Sequence, residues 1–280
     1  MCFGHQDVQA LIKDPTTKFD AVIVMPFFGN EAGYYLAHRF KAPLILYFTG
    51  QVSLSWVDDA MGQPHNTAYL PTAILPFTSE MTFIQRAINT FGNFLFHKVL
   101  RNMYILNNDY KILNKHFPNE EIPDLIELEK NASLSMSFSH PLIMDGWRPY
   151  APNHVNLGMM NYKGVKKLAP EDKIGQFLDS AKEGVVYVSF GSVISASLMP
   201  DEKRQHFLNA FKKLKQKVLW KWETEHMDGL PANVMLSKWL PQQEVLAHPN
   251  VKLFITHGGQ SSFQETLCHK KPVVSSWKLN

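Results

Sequence analysis

Val251-Lys252-Leu253-Phe254-Ile255-Thr256-His257-Gly258-Gly259-Gln260-Ser261-Ser262 is the stretch that decides the fold. The run from Val251 to Thr256 follows Pro249-Asn250 and is rich in apolar and β-branched residues, which predicts a buried strand. Gly258-Gly259 ends it, since glycine permits a tight turn and close approach of a ligand. Ser261 and Ser262 are expected to serve as helix N-caps, with Phe263, Thr266 and Leu267 as the apolar pattern behind them. Strand, glycine turn and helix start in that order shape a backbone to receive a phosphate. The unpaired N–H groups and the positive dipole end meet the anion there. Thr256 and His257 stand at the carboxyl end of the strand, where open α/β sheets bind ligands, and an imidazole there can donate to a phosphate oxygen. Glu265, a turn into the helix, would then reach ribose hydroxyls.

Outward from this stretch the chain alternates strand and helix. Val8, Leu11 and Ile12 give a short helical stripe, Ala21 to Val24 a strand, Tyr34 to Phe40 a helix and Leu44 to Phe48 another strand. Further on, Val185 to Ser189 reads as a strand and Pro200 as a helix opener. Phe207, Phe211 and Leu214 make a helix face, and Val218 to Trp222 the next strand. Such alternation predicts an α/β protein with parallel sheets covered by helices. Pro141 to Lys167 is rich in Pro, Gly and Asn. The domain boundary is expected there, giving residues 1–165 and 166–280. Between Met81 and Leu106, Phe83, Ala87, Phe91, Phe94, Leu95 and Val99 recur at helical spacing. The favoured reading is a core-facing or inter-helix stripe; the other is a surface helix that touches a membrane or covers a substrate pocket.

The 280 residues are 45% hydrophobic, enough for a sizeable core, and the formal net charge is only +3. Basic residues are scattered, which argues against a nucleic-acid partner. Lys212, Lys213 and Lys217 read as a solvated helix face. The two cysteines, Cys2 and Cys268, form neither a disulfide framework nor a zinc pattern, and no metal is expected. The N-terminus does not read as a signal peptide, and no window of about 20 apolar residues suggests a membrane span. Asn131-Ala132-Ser133 is a glycosylation acceptor triplet.

Trp239-Leu240-Pro241-Gln242, His248-Pro249, Phe254 to Gly259, Glu265 and Pro272, in this order and spacing, resemble the UDP-glycosyltransferases of animals, most closely those of insects. Val186 to Ser192, Phe19 to Val24 and Pro152 to Gly158 resemble, in turn, the opening of the nucleotide domain, an acceptor-domain strand and the inter-domain segment. The resemblance implies a GT-B fold: two Rossmann-like domains facing a cleft, the first for the acceptor and the second for a UDP-sugar. It implies that Trp239 stacks on uracil and that Gln242 bonds near the base or ribose. Ser189, Thr256 and His257 would contact the diphosphate, with Gly258, Gly259, Ser261 and Ser262 at the turn, and Glu265 would hold the ribose. The reaction implied is inverting hexosyl transfer, with UDP-glucose as the expected donor, to the hydroxyl of a small lipophilic acceptor. The location implied is the lumen and membrane of the endoplasmic reticulum, with a role in detoxification. Membrane association would come through a C-terminal helix outside this chain, and pairing would be with itself or a relative.

The chain also departs from that family. Val273-Val274 begins a strand, but Ser275 to Asn280 lack the Asp-Gln pair that grips the sugar. His5 precedes a helical pattern rather than following a strand, so it does not match the family's general base. Met25 stands where that base's acidic partner belongs, with Glu31 as a weak substitute, so no catalytic residue is assigned. Lys270 stands where a glycine is usual. The second expectation is therefore a truncated, inactive chain that binds UDP or UDP-sugar or pairs with a full-length relative.

Overall fold

The computed structural model describes residues 2–275, apart from 15, 28, 50–53, 64, 73, 139–148 and 193–194. The expectations for Ser276 to Asn280, and for the start of the Pro141 to Lys167 segment, lie outside the described residues. The chain forms two compact units, Met1–Gly158 and Met159–Asn280.

The first unit carries α1 (Gln6–Lys13), β1 (Val22–Val24), α2 (Tyr34–Phe40), β2 (Leu44–Phe48) and α3 (Ser55–Ala60). It continues with α4 (Phe83–Phe94), a π-helical segment (Leu95–Leu106), α5 (Asn107–His116), α6 (Leu125–Lys130), β3 (Leu134–Ser137) and β4 (His154–Asn156). The four strands lie in the order β1-β2-β3-β4, all parallel. Tyr34, Leu46, Leu113 and Leu125 are fully enclosed in its core. The strands β3 and β4 were not read from sequence; Leu134-Ser135-Met136-Ser137 is too polar to announce a strand that is half covered.

Between Met81 and Leu106 the stripe carried by Phe83, Ala87, Phe91 and Phe94 does not face the core. Phe83, Phe91 and Phe94 are 77%, 68% and 58% exposed. The polar stripe Gln85, Asn89, Asn93 has the same helical spacing, and it is this face that α4 turns inward. Asn89 is fully buried. Its Oδ1 accepts from Thr72 N at 2.7 Å, and its Nδ2 donates to the carbonyls of Thr67 and Leu70, each at 2.8 Å. Three main-chain groups of an irregular loop need partners, and a buried backbone group left without one costs more than an exposed phenyl ring. The helix begins with a capping box between Thr82 and Gln85.

The second unit carries α7 (Lys173–Asp179), β5 (Val185–Ser189), α8 (Asp201–Lys212), β6 (Lys217–Lys221), β7 (Val234–Ser237), α9 (Gln242–Ala247), β8 (Val251–Thr256), α10 (Gln260–Cys268) and β9 (Val273–Ser275). Its sheet has the order β7-β6-β5-β8-β9, all parallel. The chain starts in the middle, winds outward through β6 and β7, then crosses back to β8. The reversal lies between β5 and β8, and this is where such sheets open a ligand crevice at their carboxyl ends. Every residue of β5 is buried, as expected of a strand covered on both faces. Tyr187 and Phe254, paired across β5 and β8, stack with ring centroids 4.7 Å apart.

Candidate functional site

Ser189 ends β5, Thr256 ends β8, and the register pairs them. Both are buried. Each hydroxyl lies near the amide of the glycine two residues on, Ser189 Oγ 3.5 Å from Gly191 N and Thr256 Oγ1 3.4 Å from Gly258 N. Gly191 and Gly258 have φ of +86° and +82°, so each strand ends in a turn that glycine adopts without strain.

The His257 ring lies between two glycines. A Cβ on Gly191 would stand 2.7 Å from His257 Cε1, and one on Gly259 would stand 2.6 Å from Nε2. His257 Nδ1 is buried with no hydrogen-bond partner among the described residues, and partial burial pushes the imidazole below its ordinary pKa. Burial therefore favours the neutral ring, which can donate or accept a hydrogen bond, over the cation.

α10 is capped by Gly259, without a side-chain cap bond. This corrects the expectation for Ser261 and Ser262: both lie inside the first turn, where their hydroxyls do other work. Ser262 Oγ accepts from Gln242 Nε2 at 3.0 Å, while Ser261 is exposed at the mouth of the cleft. Of the expected pattern Phe263, Thr266 and Leu267, Thr266 is buried and Phe263 half-buried, and only Leu267 is corrected. α10 buries Ser262, Gln264 and Thr266, whereas Leu267 is 36% exposed. The Thr266 hydroxyl is satisfied within the helix by Ser262 O at 2.6 Å.

A cleft of about 740 Å³ lies beside these elements. Of the residues expected at the site, Ser189, Trp239, Gln242, Ser261, Ser262 and Glu265 line it. Thr256, His257, Gly258 and Gly259 do not, and His257 reaches its edge only through the Gly191 contact. Trp239 follows β7 and is 71% exposed, a flat aromatic face left open by the described residues. Gln242 is hydrogen-bonded at both ends of its amide. Its Oε1 accepts from the Tyr187 hydroxyl at 3.0 Å, and its Nε2 donates to Ser262 Oγ and, at 2.7 Å, to Glu265 Oε2. This amide, which lines the cleft, anchors the carboxylate beside it.

Sequence reasoning missed four residues of this site: Tyr187, Lys221, Gln243 and Asn161. Lys221 closes β6, is nine-tenths buried, and donates to Gly191 O at 2.9 Å and Glu223 Oε1 at 3.2 Å. Glu223 in turn accepts from Ser195 Oγ and Ser197 N, both at 3.0 Å, and these bonds hold its carboxyl below the usual range against the opposing effect of burial. A lysine at the end of the apolar run Val218-Leu219-Trp220, and a tyrosine in the middle of another, were the available signals, since buried polar tips need partners.

The residues weighed for acid–base chemistry in the first unit are engaged structurally. His5 caps α1, accepting from Asp7 N at 3.4 Å. Glu31 is fully buried, accepts from Gly29 N at 2.9 Å, and lies 3.5 Å from Arg101 Nε. Arg101 also bonds Glu129 at 2.8 Å, which accepts from Tyr34 at 2.7 Å. Glu31 is thus a strut of a buried ionic cluster, and this corrects its candidacy as an orienting carboxylate. Among the described residues no group of three or more His, Cys, Asp or Glu could hold a metal ion. Among them, too, no helix is long and apolar enough to cross a membrane.

An all-parallel sheet with a reversal point, glycine turns at both strand ends and an exposed indole at the crevice defines a Rossmann-like unit within an α/β protein. The chain belongs to the UDP-glucoronosyl and UDP-glucosyl transferase family, whose profile matches residues 5–276. It is 36% identical over 267 residues to UDP-glycosyltransferase UGT5 of Dactylopius coccus, covering 92% of this chain and 48% of that one. It is 30% identical over 275 residues to UDP-glucuronosyltransferase 1A6 of Mus musculus, covering 95% and 49%. The chain therefore spans about half the length of the curated relatives it matches. Its fold is GT-B. The glycotransferase of kitacinnamycin superposes with a TM-score of 0.55 at 17% identity, covering 96% of this chain and 59% of that one. A transferase from Siraitia grosvenorii solved with UDP also superposes with a TM-score of 0.55, at 14% identity, covering 97% and 66%.

Proposed function

We propose that the second unit binds the uridine diphosphate part of a UDP-sugar, and that the protein to which this chain belongs transfers the hexosyl group, glucose in the first instance, to the hydroxyl of a small lipophilic acceptor with inversion. The acceptor unit would be the first and the donor unit the second. The observation that carries this is the juxtaposition of Ser189 and Thr256 at the reversal point of the sheet, beside the N-terminus of α10, which has no side-chain cap bond, and within the same unit as the exposed Trp239 face. Trp239 stacks on uracil, Glu265 takes the ribose, and His257 with the turn and Ser261 faces the diphosphate. The leaving diphosphate is stabilised by helix-start N–H groups and the His257 imidazole, an arrangement that needs no metal cation. By analogy with its relatives the whole protein would sit at the endoplasmic reticulum membrane and serve detoxification.

A second reading has its own support: the chain binds UDP without turnover. His5 is spent as a helix cap, Glu31 is enclosed with Arg101, and Met25 cannot orient an imidazole. Titration of the purified chain with UDP, followed by melting temperature, tests the site. The expected result is a rise that Trp239→Ala and His257→Ala each weaken; a rise that neither variant changes removes the assignment. Sugar transfer from UDP-glucose to a phenol by this chain alone would exclude the non-catalytic reading.

A further inference from the structure

Gln243 follows the Trp239-Leu240-Pro241-Gln242 motif directly, and its side-chain amide is hydrogen-bonded at both ends. Its Nε2 donates to Glu265 Oε1 and to Asn161 O, both at 3.0 Å, and its Oε1 accepts from Lys163 N at 3.2 Å. Glu265 is thereby held through both oxygens, Oε2 by Gln242 at 2.7 Å and Oε1 by Gln243, with Asn161 Nδ2 a longer 3.4 Å from Oε1. Two amides on different carboxylate oxygens fix the rotation of that group as well as its position. A carboxylate so held accepts from a diol in one orientation without first losing side-chain freedom. The same glutamine bonds two main-chain groups of the segment from Asn161 to Lys163, which with Gly164 borders the cleft at this corner.

We propose that Gln243 is a positioning residue of the ribose subsite: it presets Glu265 and ties the Asn161–Gly164 segment over that corner, so that the cleft discriminates a ribose diol from a sugar lacking one. The inference rests on the UDP-binding function proposed above. It assigns Gln243 no contact with the nucleotide; its effect passes through Glu265.

The test compares UDP with 2′,3′-dideoxyuridine diphosphate by calorimetry on the purified chain. Unmodified protein is expected to prefer UDP by about tenfold or more, the worth of charge-assisted hydrogen bonds to a diol. Gln243→Leu keeps the approximate size and removes all three bonds. It is expected to cut that preference by about fivefold or more while leaving the affinity for the dideoxy nucleotide within about twofold. A preference unchanged by Gln243→Leu overturns the inference. So does an equal loss for both nucleotides, which marks a merely structural role. Should Gln243→Leu fail to fold, Gln243→Glu is read instead: it keeps an acceptor for Lys163 N but sets a second carboxylate against Glu265, and an unchanged preference again overturns the inference. Absence of UDP binding, or of any preference, in the unmodified protein strikes the proposed site itself and is visible before any variant is made.

Discussion

Gly191 and Gly259 leave the His257 ring only the room that hydrogen atoms need. Gly191→Ala would place a methyl 2.7 Å from the ring in a residue whose φ is +86°, so both sterics and backbone oppose it. Its expected cost is about 1–3 kcal/mol of stability together with a loss of UDP affinity, read by denaturant unfolding and calorimetry. Gly259→Ala has no backbone conflict but puts its methyl 2.6 Å from Nε2, so it separates ring displacement from strain. Lys270 gives a prediction of the opposite sign. It adopts φ +52° at the end of α10, the left-handed conformation that a glycine takes freely. Lys270→Gly is expected to stabilise the chain by about 0.5–1 kcal/mol, the relief of a left-handed side chain less the greater freedom of glycine when unfolded. A fall in melting temperature would contradict it.

At the scale of the element, α4 shows why an apolar stripe read from sequence named the wrong face. Phe83, Phe91 and Phe94 have helical spacing, and so do Gln85, Asn89 and Asn93. Period alone says that a helix has two faces, without saying which is buried. The loop carrying Thr67, Leu70 and Thr72 decides it, because the buried Asn89 amide satisfies its main-chain groups. Asn89→Ala is therefore expected to cost about 2–3 kcal/mol, whereas Phe91→Ser, on the exposed face, should change unfolding free energy by no more than about 0.5 kcal/mol. The reverse ranking would restore the core-facing reading. α10 repeats this in part: Thr266 is buried as expected, but Ser262 and Gln264 share its buried side and Leu267 does not.

For the whole molecule, stability should depend on pH through the first unit's ionic cluster. Burial pushes Glu129 up to about 7 despite its bonds to Arg101 and Tyr34. Asp109 is likewise raised to about 7, by burial first and by Glu31 second. Both folded values exceed the unfolded ones, so the folded chain binds more protons. Stability is fully present below about pH 4, where both states are protonated. It falls as pH rises toward 7 and is level above that. Glu129→Gln should flatten this slope in melting curves taken between pH 5 and pH 8; an unaltered slope would place the pH dependence elsewhere. The sequence by itself determined the β8–turn–α10 unit, the alternation that makes two parallel sheets, and the residue types at the candidate site. Those features are local: a β-branched run, a glycine pair and a fixed spacing act over a few residues. Only the tertiary structure decided which polar atoms meet. Gln242 and Gln243 hold Glu265, Lys221 holds Gly191, and Glu31 is sealed with Arg101 because sheet order and packing bring together groups that lie far apart in the chain, and a buried donor or acceptor takes whichever partner that arrangement supplies.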